Sequence, residues 1–221
     1  MDFPLFNSVY RPPETPTING WKFESYDEDF WAIENGTMLD GYFQSDKYFA
    51  RDWKYARRVL GPSPRAVGTA LSKLSQLGCD PRNTIAIHVR RGDYLHQTEP
   101  FTLSRYGWTL PTSYYTDSIE RFSGNQKLLF LTDDPGYVRE TFGPDSIVAS
   151  SSVPSIDLLM LSLCRFNVLS NSTFAWWGAY LGGDEGRTVL APRYWMGWES
   201  QRWMPSDIQV EWWNYVDVQR T

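Results

Sequence analysis

The chain has 221 residues, with 21 Lys and Arg against 26 Asp and Glu for a formal net charge of -5, and its pI is near 5.1. That length supports one sizeable domain, alone or with an appendage, around a core that needs no staples. The acidic balance excludes a general nucleic-acid binder, which needs a broad basic face. The two cysteines, Cys79 and Cys164, lie in apolar contexts and read as buried free thiols, not a disulfide framework. No basic segment followed by an apolar one opens the chain, and no apolar run of about 18 residues occurs. It therefore reads as soluble and cytoplasmic, unless a targeting part lies outside it.

Residues 1–37, with RPPETPTING at 11–20, hold no sustained period and read as an extended arm with one or two short strands. The segment DKYFARDWKYARRVL at 46–60 places Phe49, Trp53, Ala56 and Leu60 on one helical face. A second helix is capped by Ser63, carries Pro64 in its first turn, buries Ala66, Ala70, Leu74 and Leu77, and stops at Gly78. Strands are then predicted at 84–89, 127–131, 147–149, 166–169 and 188–191, with helices at 111–122, 135–142, 155–164 and 173–181. This alternation implies βαβ crossovers and an α/β fold: a Rossmann-like, mainly parallel sheet with helices on both faces. The boundary is set between an arm at 1–45 and this domain at 46–221.

In such sheets ligands bind at the carboxyl ends of the strands. That rule selects His88, Arg90, Arg91 and Asp93 after the first strand, and Thr132, Asp133 and Asp134 after the second. Ser170, Asn171, Ser172 and Thr173 follow the fourth. The guanidinium forks of Arg90 and Arg91 match two phosphate oxygens at once and keep their charge, so a diphosphate leaving group is the natural guest. For two adjacent arginines alone, a solvated pair or a structural salt bridge is the plainer reading. Alternation points His88 and Arg90 to the same side, and Asp93 can orient an arginine or accept from a ligand.

The 170–173 run suits an anion at a helix start, or is an ordinary N-cap. Asn171-Ser172-Thr173 and Asn35-Gly36-Thr37 are also glycosylation sequons, which count only in a secretory compartment. Asp133-Asp134 invites a divalent metal, but the two histidines are His88 and His96 and no third carboxylate stands at a suggestive spacing. A loop aspartate bonded to ligand or backbone is therefore preferred, with no metal. Nucleophile-elbow, P-loop and dinucleotide motifs are missing. Arg91-Gly92-Asp93 has the form of an adhesion tripeptide, yet it follows directly from a core strand, with Gly92 letting the backbone turn close to a ligand. Aromatic content of 16% with 11 Trp suits packing first and the C–H faces of sugars second.

Three segments together, GYFQSDKYF (41–49), IHVRRGDY (87–94), and LTDD (131–134) with SNSTFAWWGAYL (170–181), resemble the α-1,2-fucosyltransferase family, glycosyltransferase family 11. The resemblance covers about residues 38–195. It implies inverting, metal-independent transfer of L-fucose from the donor substrate GDP-fucose to an oligosaccharide acceptor with a terminal galactose, with no cofactor and no nucleic acid. It also implies a GT-B fold of two facing halves, of which this chain matches the C-terminal, donor-binding half, the arm being a remnant of the acceptor side.

By that similarity Arg90 holds the β-phosphate, Arg91 supports it or the loop, His88 faces the guanosine, and Asp157 accepts guanine N–H groups. Ser172 and Thr173 close on the diphosphate, and Asp133, Asn171 and Phe174 complete the donor site. Arg90 and Asp93 are the catalytic candidates, Asp93 as proton sink. The family's usual G-G-L-G-N-Q opening has no counterpart here. Either the acceptor site is rebuilt from the arm and an oligomeric partner, as in a homo-oligomer, or the chain is a non-catalytic or incomplete GDP-sugar or glycan-binding module.

Overall fold

The computed structural model describes residues 17–19, 25–40, 43–96, 108–122, 124–149 and 153–219. The predicted arm at 1–16 and 20–24, and Gly41 and Tyr42 of the GYFQS segment, lie outside the described residues. Strands β1 (Thr17–Asn19) and β2 (Met38–Asp40) pair in parallel as a two-stranded sheet. Tyr26 and Lys47 are tied to the C-terminal segment through Asp207. Its carboxylate pairs with Lys47 and accepts the Tyr26 N–H at 3.0 Å.

The helix predicted over 46–60 divides. Two 3₁₀ turns, Asp46–Tyr48 and Ala50–Asp52, precede α1 (Trp53–Leu60). The break falls at Phe49, whose ring stacks on Trp177 with centroids 5.2 Å apart, a tertiary contact that overrides local helical preference. Helix α2 (Pro64–Gln76) follows as expected. Ser63 Oγ accepts the Ala66 N–H at 3.3 Å, and Gly78 takes φ +67 just beyond the last turn.

Strands β3 (Thr84–Val89), β4 (Lys127–Thr132), β5 (Ile147–Ala149), β6 (Phe166–Val168), β7 (Thr188–Pro192) and β8 (Asn214–Val216) form one sheet of order β5-β4-β3-β6-β7-β8. Every pairing in it is parallel. Helices α3 (Thr112–Glu120), α4 (Pro135–Phe142), α5 (Pro154–Leu163) and α6 (Thr173–Leu181) make the crossovers. β8 had no counterpart among the predicted strands. Its three residues carry little pattern, and it is reached from β7 without a helix.

All six residues of β3 are buried, as a parallel strand covered on both faces requires. Ala86, Leu129, Leu131 and Val189 pack with α2, α5 and α6, whereas Ile85, Ile87, Phe130 and Leu190 pack with the side chains of α3 and α4. The two faces follow from the path of the chain. It steps outward from β3 through β4 to β5, and then α5 returns it to β6 on the other side of β3. Right-handed crossovers that travel in opposite directions put their helices on opposite faces. The carboxyl ends of β3 and β6 therefore part at a topological switch point, the crevice where open α/β sheets hold ligands.

Candidate functional site

His88 ends the inward-facing run of β3 at that switch point. Its Nδ1 lies 2.7 Å from Ser170 Oγ, just beyond β6, and its ring faces that of Phe174 with centroids 5.4 Å apart. Burial, with Arg90 as a smaller cause, holds its pKa down to about 3, so the imidazole is neutral at physiological pH. A neutral ring has one donor and one acceptor nitrogen, and the serine fixes the role of one of them.

The RRGD loop leaves β3 against the end of β4. Arg90 Nη1 pairs with Asp133 Oδ2 at 2.9 Å and Nη2 with Asp93 Oδ1 at 2.7 Å, while the arginine side chain remains 35% exposed. Asp133 Oδ1 also accepts the backbone N–H of Arg91 at 2.9 Å. Arg91 pairs through Nε with Asp134 Oδ2 at 3.2 Å and lies over the Tyr137 ring, 3.7 Å from its centroid. Asp134 in turn accepts the Tyr137 N–H at 3.0 Å as the cap of α4. The loop is thus anchored at four points by the carboxylates and ring that follow the neighbouring strand, Asp133, Asp134 and Tyr137, and braced internally by Asp93. An adhesion tripeptide on a free tip does not fit this arrangement, because Arg91 is engaged on both its charge and its face.

Gly92 is needed for a reason the sequence did not show. A Cβ there would lie 2.6 Å from Asp133 Oδ2, so the absent side chain makes room for the carboxylate that holds the loop.

The start of α6 forms the third wall. Ser172 is its N-cap residue but makes no side-chain cap bond to the helix; its hydroxyl turns to Tyr94 instead. Thr173 and Phe174 form the first turn of α6. Asn171 is buried and donates from Nδ2 to the Trp108 carbonyl at 2.9 Å, which places it as a tie to that segment. Its burial also leaves the Asn171 sequon inaccessible. Asp157 lies in the first turn of α5, on the same edge of the sheet.

Tyr94, Trp108 and Tyr137 complete the walls and were not singled out from the sequence. Tyr94 is buried, which pushes its pKa up to about 12, and lies under the Arg90 guanidinium at 5.4 Å. Its hydroxyl donates to the Asn171 carbonyl at 3.4 Å, and its ring meets Trp108 edge-on at 5.2 Å. The signal for Tyr94 was its place one residue after Asp93; for Tyr137, its place in the first turn after Asp134. Ring-to-guanidinium contacts leave no periodic trace in sequence.

A second arginine-bearing groove, of about 630 Å³, opens at the opposite edge beside Arg82, Arg165 and Arg187. Arg187 donates to the carbonyls of Leu161 and Ser162, the last turn of α5. Arg187 thus answers the negative end of α5, while Arg82 pairs with Asp80 and Arg165 donates to the Gly186 carbonyl. Among the described residues no group of three or more His, Cys, Asp or Glu could hold a metal ion, and no helix is long and apolar enough to cross a membrane.

An all-parallel α/β sheet with charged and hydroxyl side chains gathered at its switch point is the arrangement in which open α/β sheets hold ligands. The chain belongs to glycosyl transferase family 11, whose family model matches residues 37–217. It is 34% identical over 188 residues to the O-antigen biosynthesis glycosyltransferase WbnK of Escherichia coli, covering 80% of this chain and 61% of that protein. It is 28% identical over 190 residues to an alpha-1,2-colitosyltransferase of Escherichia coli, covering 79% of this chain and 62% of the relative. To galactoside alpha-(1,2)-fucosyltransferase 2 of Mus musculus it is 27% identical over 126 residues, 53% of this chain and 35% of that one. The chain thus spans less than two thirds of the length of these relatives.

Proposed function

We propose that the chain binds GDP-β-L-fucose at the switch point and transfers L-fucose, with inversion, to a galactoside hydroxyl in α-1,2 linkage. The observation that carries this reading is Arg90. It is a permanently charged fork at the carboxyl end of β3, held by Asp133 and Asp93 and with about a third of its side chain still exposed (35%). His88 and Phe174 face each other toward β6, on the side this reading gives to the guanosine, with Asp157 on α5 as the carboxylate for guanine N–H groups.

In the transfer, the acceptor oxygen bonds to the anomeric carbon as the bond to the phosphate oxygen breaks. The electron pair leaves with the diphosphate, and the hydroxyl proton passes to a carboxylate, for which Asp93 is the candidate. Negative charge grows on the departing diphosphate, so a preorganised Arg90 lowers the barrier by binding it more strongly as it forms. Arg91 supports the loop, Ser172 and Thr173 approach the phosphates from α6, and no metal is required. The names of the relatives bracket the sugar between fucosyl and colitosyl donors.

The test is calorimetric titration of GDP into wild type and Arg90→Ala, followed by GDP release with a panel of β-galactosides. Binding to wild type, loss of transition-state stabilisation on the order of 3 kcal/mol in the variant, and galactoside-dependent release support the reading. GDP binding without turnover on any acceptor identifies a binding module, and failure of wild type to bind GDP overturns the donor assignment.

A further inference from the structure

The two carboxylates on Arg90 hold it differently. Asp133 is a two-point anchor, bonded to Nη1 of Arg90 and to the N–H of Arg91 and fitted into the space beside Gly92, with 27% of its side chain exposed. Asp93 reaches the same guanidinium from within the loop by one contact, at Nη2, and its side chain is 51% exposed. The cluster of Arg90, Arg91, Asp93, Asp133 and Asp134 carries two positive and three negative charges, a net of one negative. In the free protein it therefore has no surplus cation for a diphosphate. An anion that takes the Nη2 edge of Arg90 competes with Asp93, and of the two carboxylates this singly held, exposed one is the easier to move.

We propose that Asp93 occupies, in the free protein, the edge of Arg90 that the donor diphosphate takes, and that Asp133 is a positioning residue that keeps Arg90 aimed while the two anions exchange. This inference rests on the assignment of Arg90 as the phosphate ligand. The exchange also orders events, because Asp93 is released as an unpaired carboxylate only once the donor is seated. A base that is freed by donor binding cannot act before it.

The test measures GDP and guanosine binding to wild type, Asp93→Asn and Asp133→Asn by calorimetry, with thermal melts to verify folding. Each substitution removes one negative charge near the phosphates, so a purely long-range effect gives both the same sign. The exchange gives opposite signs. Asp93→Asn should bind GDP roughly two- to fivefold more tightly, since an exposed pair no longer has to be broken. Asp133→Asn should bind it roughly tenfold more weakly, since the guanidinium loses a charge-assisted anchor. Guanosine, which has no phosphate, should be unaffected by Asp93→Asn. Where Asp133→Asn does not fold, Asp133→Glu replaces it, with the same weakening expected because the longer side chain does not fit beside Gly92.

Weaker or unchanged GDP binding in Asp93→Asn, or tighter binding in both variants, overturns the exchange while leaving the donor assignment standing. Equal affinity of wild type for GDP and guanosine removes Arg90 as phosphate ligand and the exchange with it.

Discussion

His88 Nδ1 and Ser170 Oγ meet at 2.7 Å across the topological switch point, with both side chains buried. This bond joins the carboxyl ends of β3 and β6, the two strands from which the candidate site opens. Removal of the hydroxyl leaves a buried ring nitrogen without its partner. Ser170→Ala should therefore cost about 1–3 kcal/mol of stability in urea denaturation, with a further fall in GDP affinity as the ring loses its fixed orientation. Ser170→Thr keeps the hydroxyl and should recover most of the affinity.

The same histidine predicts how stability responds to acid. Its pKa is held down to about 3 by burial first and Arg90 second, whereas in the unfolded chain it titrates normally. Between the two values the unfolded state binds a proton that the native state refuses, so stability present above pH of about 6.5 falls as the pH is lowered. One such group contributes a slope of about 1.4 kcal/mol per pH unit, or about 2 kcal/mol between pH 6.5 and 5. His88→Gln should show a flatter decline over that window than wild type. Identical slopes in the two proteins would mean that His88 titrates normally when folded.

Much of the fold is legible in the sequence because a parallel sheet writes a simple pattern: apolar runs such as TIAIHV alternate with helices, whose starts are marked by Ser63 and by the polar run at 170–173. β8 is not legible, since its three residues are recruited by edge pairing to β7 rather than by any pattern of their own. The segment at 46–52 is 3₁₀ and not α-helical for a related reason. Phe49, where it breaks, is claimed by the ring of Trp177, a contact made across the chain. At the site, the strand-end rule selects His88, Arg90 and the carboxylates, because it depends on topology alone. The sharing of Arg90 between Asp93 and Asp133, the stacking of Arg91 on Tyr137 and the turn of Ser172 toward Tyr94 depend on side-chain geometry at sequence separations that no local pattern records.

Helix α6 is placed by close packing on α5. A Cβ on Gly178 would lie 2.5 Å from Leu161 Cδ2 and 3.2 Å from its Cβ, and both residues are buried. Gly178→Ala should therefore push the two helices apart and destabilise the protein by about 1–3 kcal/mol, an overpacking cost that exceeds the gain in helix propensity. Leu161→Ala in the same chain should restore part of the loss by making room. Thermal melts of the two single variants and the double variant give the coupling directly.

Gly92→Ala tests the loop anchor without touching a charged residue. The added methyl meets Asp133 Oδ2 at 2.6 Å, so the carboxylate has to withdraw from Arg90, from the Arg91 N–H, or from both. Gly92 is exposed and outside the core, so the melting temperature should change little. GDP affinity should fall roughly tenfold, the consequence of losing a charge-assisted hydrogen bond that orients the guanidinium. If the methyl acts through Asp133, the effects of Gly92→Ala and Asp133→Asn overlap, and the double variant should be no weaker than the worse single one. Additive losses in that cycle would show that Gly92 acts through its own backbone and not by making room for Asp133.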